Sequence, residues 1–333
     1  MWPVRADRAR SRSAGRSREL PRQRGPMNEA GLEGRLRAGE FAITAEITPP
    51  LSADPQALLD KALPLRDLAD AVNVTDGASA RAHLDVLSAA GFLVRAGIEP
   101  VLQLTCRDRN RIALQSLLVG AAAQGVRNIL ALRGDDPSAG DQPQAKAVFD
   151  LDSSALLATA SAIRDRGQLP HGQVVGGRID YFLGAADAPI DPAPDWQPKA
   201  LLQKIQAGAQ FVQTQFCMDV GVVRRYLQRL TECGVTDRAY ILIGLAPLAS
   251  ARSGRWIRRH LYGSIIDEAL IERLERASDS RLEGQRICVE LMQQMQQIPG
   301  VAGVHLMAPL NEGALPKVIR QFRAVSTQRS ISL

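Results

Sequence analysis

Eight short apolar runs, each followed by a longer stretch with helical spacing, constrain this chain more than any other feature of its sequence. The runs are FAITAEI (41–47), AVNVT (71–75), PVLQLT (100–105), NILALR (128–133), RIDYFLGA (178–185), FVQTQF (211–216), YILIGL (240–245) and GVHLMA (303–308). Each is rich in Val, Ile, Leu or Phe, the pattern of a strand covered on both faces. Between them the spacing predicts helices over roughly 54–69, 80–91, 109–124, 152–167, 198–208, 220–233, 264–297 (in broken form) and 313–325. Asp152-Ser153-Ser154 is a start signal for one of these, and Gly91, Gly125 and Gly234 are read as stop signals for three others. Eight strand–helix units in about 290 residues is the count of an α/β chain folded as a single (β/α)8 TIM-type barrel. An open doubly wound sheet shares the alternation, but its first strand leads into a GxGxxG turn. Here Glu46-Ile47-Thr48-Pro49-Pro50 stands in that place. The expected body is one catalytic domain, residues 28–333, with no repeat beyond the βα unit.

Ahead of it, residues 1–27 read as a disordered basic extension, Arg- and Ser-rich and without hydrophobic periodicity. The chain carries a formal net charge of +6, and residues 1–26 hold eight arginines against Asp7 and Glu19, so the body is neutral. That removes the electrostatic argument for a nucleic-acid partner. The extension has no apolar core of the kind a secretory signal needs, and no run is long enough to span a membrane. Cys106, Cys217, Cys233 and Cys288 lie far apart with no CxxC pair, which fits reduced thiols and a cytoplasmic location. His83, His171, His260 and His305 form no HxH or HExxH pattern, so no metal is expected. Neither a GxSxG elbow nor a phosphate loop is present.

In a barrel, chemistry belongs at the carboxyl ends of the strands, and unusual polar residues fall there repeatedly. Glu46 interrupts strand 1; Thr75 and Asp76 close strand 2; Gln103 and Thr105 close strand 3; Arg133-Gly134-Asp135-Asp136 follows strand 4. Gln213, Thr214 and Gln215 fall in strand 6, and His305 and Asn311 lie at or beyond strand 8. A carboxyl taken out of water keeps its proton to higher pH, which suits a general acid. Glu46 has a structural alternative, a buried pair with an arginine such as Arg133. By parity Gln213 and Gln215 share one side of their strand, with Thr214 opposite; one amide would satisfy a buried group and the other read a heterocycle edge. Cys217, between apolar neighbours, reads as a packing residue. The set holds acid, amides and hydroxyls but no evident covalent nucleophile, which fits redox chemistry carried by a cofactor.

AEITPP, VTDGA, LTC, LRGD and AGAQFVQTQF, in this order and spacing, resemble the methylenetetrahydrofolate reductase family over roughly residues 38–325. The resemblance implies a barrel that binds FAD and reduces methylenetetrahydrofolate to 5-methyltetrahydrofolate with NADH or NADPH, in one-carbon metabolism and methionine biosynthesis. It implies Glu46 as the acid that opens the imidazolidine ring, Asp135 beside flavin and pterin, and Gln215 on the pterin or nicotinamide. Thr75, Gln103, Leu132, Arg133, Gly134, Asp135 and Ala185 would line the flavin, Lys204 would face its phosphates, and Asn311 would touch the folate. A homo-oligomer is compatible with it.

The sequence departs from the family pattern at several points. Gln103 stands where a histidine is common, and LGAADAP (183–189) replaces Tyr-Pro-x-x-His, as in the family's divergent branch. Gln197, Ala200 and Gln203 replace polar flavin contacts. Ala251 and Trp256 occupy the region of an expected aromatic, and Leu310-Asn311-Glu312 stands where an arginine is common. Two alternatives follow: direct hydride transfer from NADH without flavin, and a pterin-dependent methyltransferase barrel. A third, non-enzymatic reading takes the barrel as a scaffold, with residues 1–26 binding nucleic acid or an acidic partner.

Overall fold

The computed structural model describes residues 31–331, with side chains to 325; the basic extension lies outside the described residues. Eight parallel strands close a barrel: β1 (Ala42–Ile47), β2 (Ala71–Val74), β3 (Pro100–Thr105), β4 (Asn128–Leu132), β5 (Phe182–Asp187), β6 (Phe211–Met218), β7 (Tyr240–Leu245) and β9 (Val301–Leu306). They run in chain order, β5 pairs with β6, and β9 closes on β1. A two-residue strand, β8 (Ile265–Ile266), extends only the upper end of β6.

The covering helices are α2 (Pro55–Ala62), α3 (Val86–Arg95), α4 (Arg111–Ala123), α5 (Ser153–Arg166), α6 (Lys199–Gln206), α7 (Val220–Glu232), α10 (Ser280–Met295) and α11 (Leu315–Ile331). Two more, α8 (Ala251–His260) and α9 (Glu268–Arg276), lie between β7 and α10. Asp residues cap many of their N-termini; Asp152 accepts from Ala155 N at 2.7 Å at the start of α5.

Strand alternation divides the core in two. Residues such as Ile43, Ala45 and Ile47 point outward against the helices. Ala42, Val101, Leu130, Phe182, Phe211 and Leu242 point inward and form an apolar floor at the amino end. A short helix, α1 (Leu32–Arg37), stoppers that end with Leu32 and Leu36. Full burial of each leucine contributes about 1.5–3 kcal/mol.

Several boundaries differ from the sequence reading. Strand β5 starts at Phe182 instead of 178, where its pairing with β4 begins at Asn128; just before it the Tyr181 hydroxyl donates to Leu118 O on α4. Helix α3 starts at Val86, where Asp85 caps Ser88 N. Gly91 is not a stop signal: it sits inside α3, where a Cβ would lie 1.8 Å from the Gln124 side chain, so it is a close-packing site. Gly125 and Gly234 do follow helix ends, each with positive φ. The stretch 264–297 breaks at Ala277–Asp279, and Asp279 caps α10. The sequence reading lacked α8, which is arginine-rich and buries only Ala251, Gly254 and Ile257.

Candidate active site

Above the apolar floor the lumen turns polar. Thr44 (β1), Asn73 (β2), Gln213 (β6) and His305 (β9) all point inward and are at most 2% exposed. Asn73 and Gln213 exchange amide hydrogen bonds at 2.6 and 3.0 Å. Gln213 Nε2 also donates to Thr44 Oγ1 at 2.9 Å, and Thr44 Oγ1 lies 3.0 Å from His305 Nδ1. Each member of this layer has at least one hydrogen-bond partner within it, as a buried polar network requires.

Glu46 stands one step higher on the same face of β1, its side chain 21% exposed. Its Oε2 accepts from Gln103 Nε2 at 2.6 Å and lies 3.5 Å from His305 Nε2. Oε1 has no hydrogen-bond partner among the described residues. The alternative pairing with Arg133 does not form: that guanidinium is exposed and sits 4.4 Å over the Phe149 ring.

The other predicted residues divide into those at the mouth and those turned from it. The Thr75 hydroxyl, just past the end of β2, is buried and has no hydrogen-bond partner among the described residues. Leu132 is half-buried at the top of β4, and Gly134 after it has φ +86. A Cβ at Gly134 would sit 3.0 Å from Thr105 and Arg107 side chains, so backbone, not side chain, lines this corner. Asp135 is exposed with no ion pair among the described residues. Asp76, by contrast, is spent on structure: it accepts from Thr105 N, Thr105 Oγ1 and Arg109.

Strand β6 departs from simple parity. Between Gln213 and Phe216 it slips register against β7. The bulge turns Thr214 to accept from Gly244 N at 2.9 Å, and a Cβ on Gly244 would lie 2.4 Å from Thr214 O. Gln215 Oε1 accepts from Phe216 N at 3.0 Å, which leaves its NH2 group without a partner among the described residues. Asn311 donates to Pro247 O at 3.0 Å and ties the loop after β9 to that after β7.

Ala185 and Lys204 are placed otherwise than expected. Ala185 is fully buried between strand and helices, because the inward positions of β5 are Phe182, Gly184 and Ala186. Lys204 Nζ donates to Ala186 O at 2.6 Å. Nearby, Asp187 accepts from the Tyr226 hydroxyl. Burial raises the Asp187 carboxyl above its ordinary range and raises the tyrosine as well. Burial also pushes the Cys217 thiol up to about 12, in keeping with packing. Sequence reasoning missed Glu312, whose carboxylate accepts from Thr48 N at 2.7 Å and pairs with Lys61 at 2.8 Å, holding the loop that follows Glu46.

The model of one protein family, methylenetetrahydrofolate reductase, matches residues 32–323, spanning floor, polar layer and mouth. The chain belongs to the methylenetetrahydrofolate reductase family. It is 27% identical over 237 residues to a probable methylenetetrahydrofolate reductase (NADPH) of Caenorhabditis elegans; the match covers 70% of this chain and 33% of the worm protein. It is 25% identical over 245 residues to 5,10-methylenetetrahydrofolate reductase of Escherichia coli strain K12, covering 70% of this chain and 72% of that one. Among solved structures, a Clostridium thermocellum protein described as binding two copies of 5-methyl-5,6,7,8-tetrahydrofolic acid superposes with a TM-score of 0.63. That likeness covers 88% of this chain and 99% of the other at 13% identity, and it speaks to the fold. Among the described residues, no helix of this family member is long and apolar enough to cross a membrane.

Proposed function

We propose that the protein reduces 5,10-methylenetetrahydrofolate to 5-methyltetrahydrofolate, with NADH or NADPH as the electron source. One observation carries the proposal: a half-buried carboxyl, Glu46, stands at the mouth with one oxygen held by the protein and the other left for a ligand. Glu46 gives its Oε1 proton to a ring nitrogen of the substrate, the bridging carbon–nitrogen bond opens, and the resulting iminium carbon accepts hydride. The unpartnered NH2 of Gln215 suits an acceptor on the pterin edge. Asn311 keeps the neighbouring loops together.

The mouth supports FAD in part. The unpartnered Thr75 hydroxyl and the open backbone at Gly134 fit a polar cofactor edge, with Leu132, Arg133 and Asp135 beside it. When bound, the flavin would supply the hydride. Direct transfer from NADH is the second reading, favoured because Ala185 faces the helices and Lys204 bonds Ala186 O. A methyltransferase reading has no comparable support.

The test is the visible spectrum of the purified protein before and after anaerobic NADH and NADPH, followed by methylenetetrahydrofolate. An oxidised-flavin spectrum, bleached by nucleotide and restored by folate, is expected. A colourless protein that takes up no FAD yet consumes NADH with folate would favour the second reading. No folate-dependent change in either form would overturn both.

A further inference from the structure

The buried layer below Glu46 has a directional order of donors and acceptors that the reading above does not use. It begins at the amide pair. Asn73 Nδ2 donates to Gln213 Oε1 and Gln213 Nε2 donates to Asn73 Oδ1. One Gln213 N–H is thereby used, and the other goes to Thr44 Oγ1 at 2.9 Å. Thr44 is thus an acceptor on that side, and its own proton has two destinations: His305 Nδ1 at 3.0 Å or Val304 O at 3.4 Å. The nearer is Nδ1. A neutral imidazole that accepts at Nδ1 carries its hydrogen on Nε2. That nitrogen faces Glu46 Oε2 at 3.5 Å, with its side chain 3% exposed. Gln103 Nε2 donates to the same oxygen at 2.6 Å.

We infer that His305 and Gln103 are joint positioning residues: each presents an N–H to Oε2 of Glu46, so the acidic proton resides on Oε1. A proton on Oε2 would have to share its space with two other hydrogens, whereas Oε1 has no protein neighbour to oppose it. In the transfer step the Oε1–H bond breaks and a bond from that hydrogen to a substrate nitrogen forms. The electron pair stays on the carboxylate, and its charge spreads to Oε2. There the Gln103 hydrogen bond becomes charge-assisted, and the charge draws the His305 N–H in from its 3.5 Å approach as the reaction proceeds. An amide at 103 donates without ever taking the proton away. This inference rests on the reading of Glu46 as the proton donor.

Two measurements on the full chain test it. The first is ring-15N histidine NMR above the ordinary imidazole range, with His305 assigned by its loss in His305→Gln. The inference expects a neutral ring with Nε2 protonated and Nδ1 bare. A neutral Nδ1–H ring, or an imidazolium that persists, would overturn it. The second is steady-state folate reduction. His305→Phe and Gln103→Met each lower kcat about 10- to 100-fold with KM within about threefold. His305→Gln, whose amide reaches the Nε2 position, recovers most of the loss. Equal losses in the Phe and Gln variants, with both folded by circular dichroism, would reduce His305 to a packing residue and sink the proposal. If the wild-type chain turns over no folate, the reading of Glu46 fails and the positioning role with it, while an Nε2-protonated ring would still show the predicted order of donors and acceptors.

Discussion

An acid whose two oxygens meet different surroundings acts in one direction. In Glu46 one oxygen is held by the protein and the other has no partner among the described residues, so if Glu46 is the acid proposed above, Glu46→Gln removes its proton while keeping the shape. Methylenetetrahydrofolate reduction is expected to fall about 10²–10⁴-fold, while NAD(P)H-to-quinone transfer survives; loss of both, measured side by side, would make Glu46 structural. Gln213 is a stability residue beneath it. In Gln213→Leu the Asn73 amide and Thr44 hydroxyl each lose a buried partner, and urea unfolding should show a cost of about 1–3 kcal/mol. Glu46 is legible in the sequence because a lone acid in an apolar run has few explanations. Thr44 and Asn73 are not, since one small polar residue in a strand fits either face until register sets it against its partners. Gln215 was legible as a candidate, but its orientation depends on a bulge that alternation cannot reveal.

At the scale of elements, docking is local and each contact has its own energetics. Helix α1 covers the barrel floor with two leucines, so Leu36→Ala should cost about 2–5 kcal/mol in urea unfolding, a cost near zero meaning that the floor closes without it. Six residues with two leucines carry too little periodicity for sequence reading to find such a helix. For the same reason α8 escaped notice: its arginines hide a narrow apolar stripe. The end of β5 is joined to α7 through Asp187 and Tyr226. Burial raises the Asp187 carboxyl, with the tyrosine and Lys204 pulling the other way. The folded protein therefore keeps a proton there that the unfolded chain has already released. Stability falls as pH rises from the ordinary carboxylate range through the raised value. Asp187→Asn should flatten that decline in urea unfolding measured across pH; an unchanged slope would assign it to other carboxyls, such as Asp70 and Glu99, which burial also raises.

For the whole molecule, eight apolar runs in a fixed rhythm gave the count of a barrel, and the missing GxGxxG turn after the first run set it against an open doubly wound sheet with the same alternation. Even β5, misplaced by four residues, was counted as a strand, so the total and the closure survived the error. Charge was legible at this scale too: the excess of arginine lies ahead of Met27 and the body is balanced. Deletion of residues 1–26 should therefore leave folate turnover unchanged and remove any salt-sensitive retention on a nucleic-acid column. Lost turnover would tie the extension to the enzyme.

The apolar floor and α1 cover the amino end of the barrel. Between Thr44 and the leucines of α1 the inward layer of Ala42, Val101, Leu130, Phe182, Phe211 and Leu242 is apolar, so it offers no side-chain proton relay to Glu46 from behind. If Glu46 is the acid proposed above, a proton spent at the mouth returns through the mouth, after the product has left it. The vessel refills only when emptied, and heavy water should slow the recovery between turnovers more than the first turnover itself.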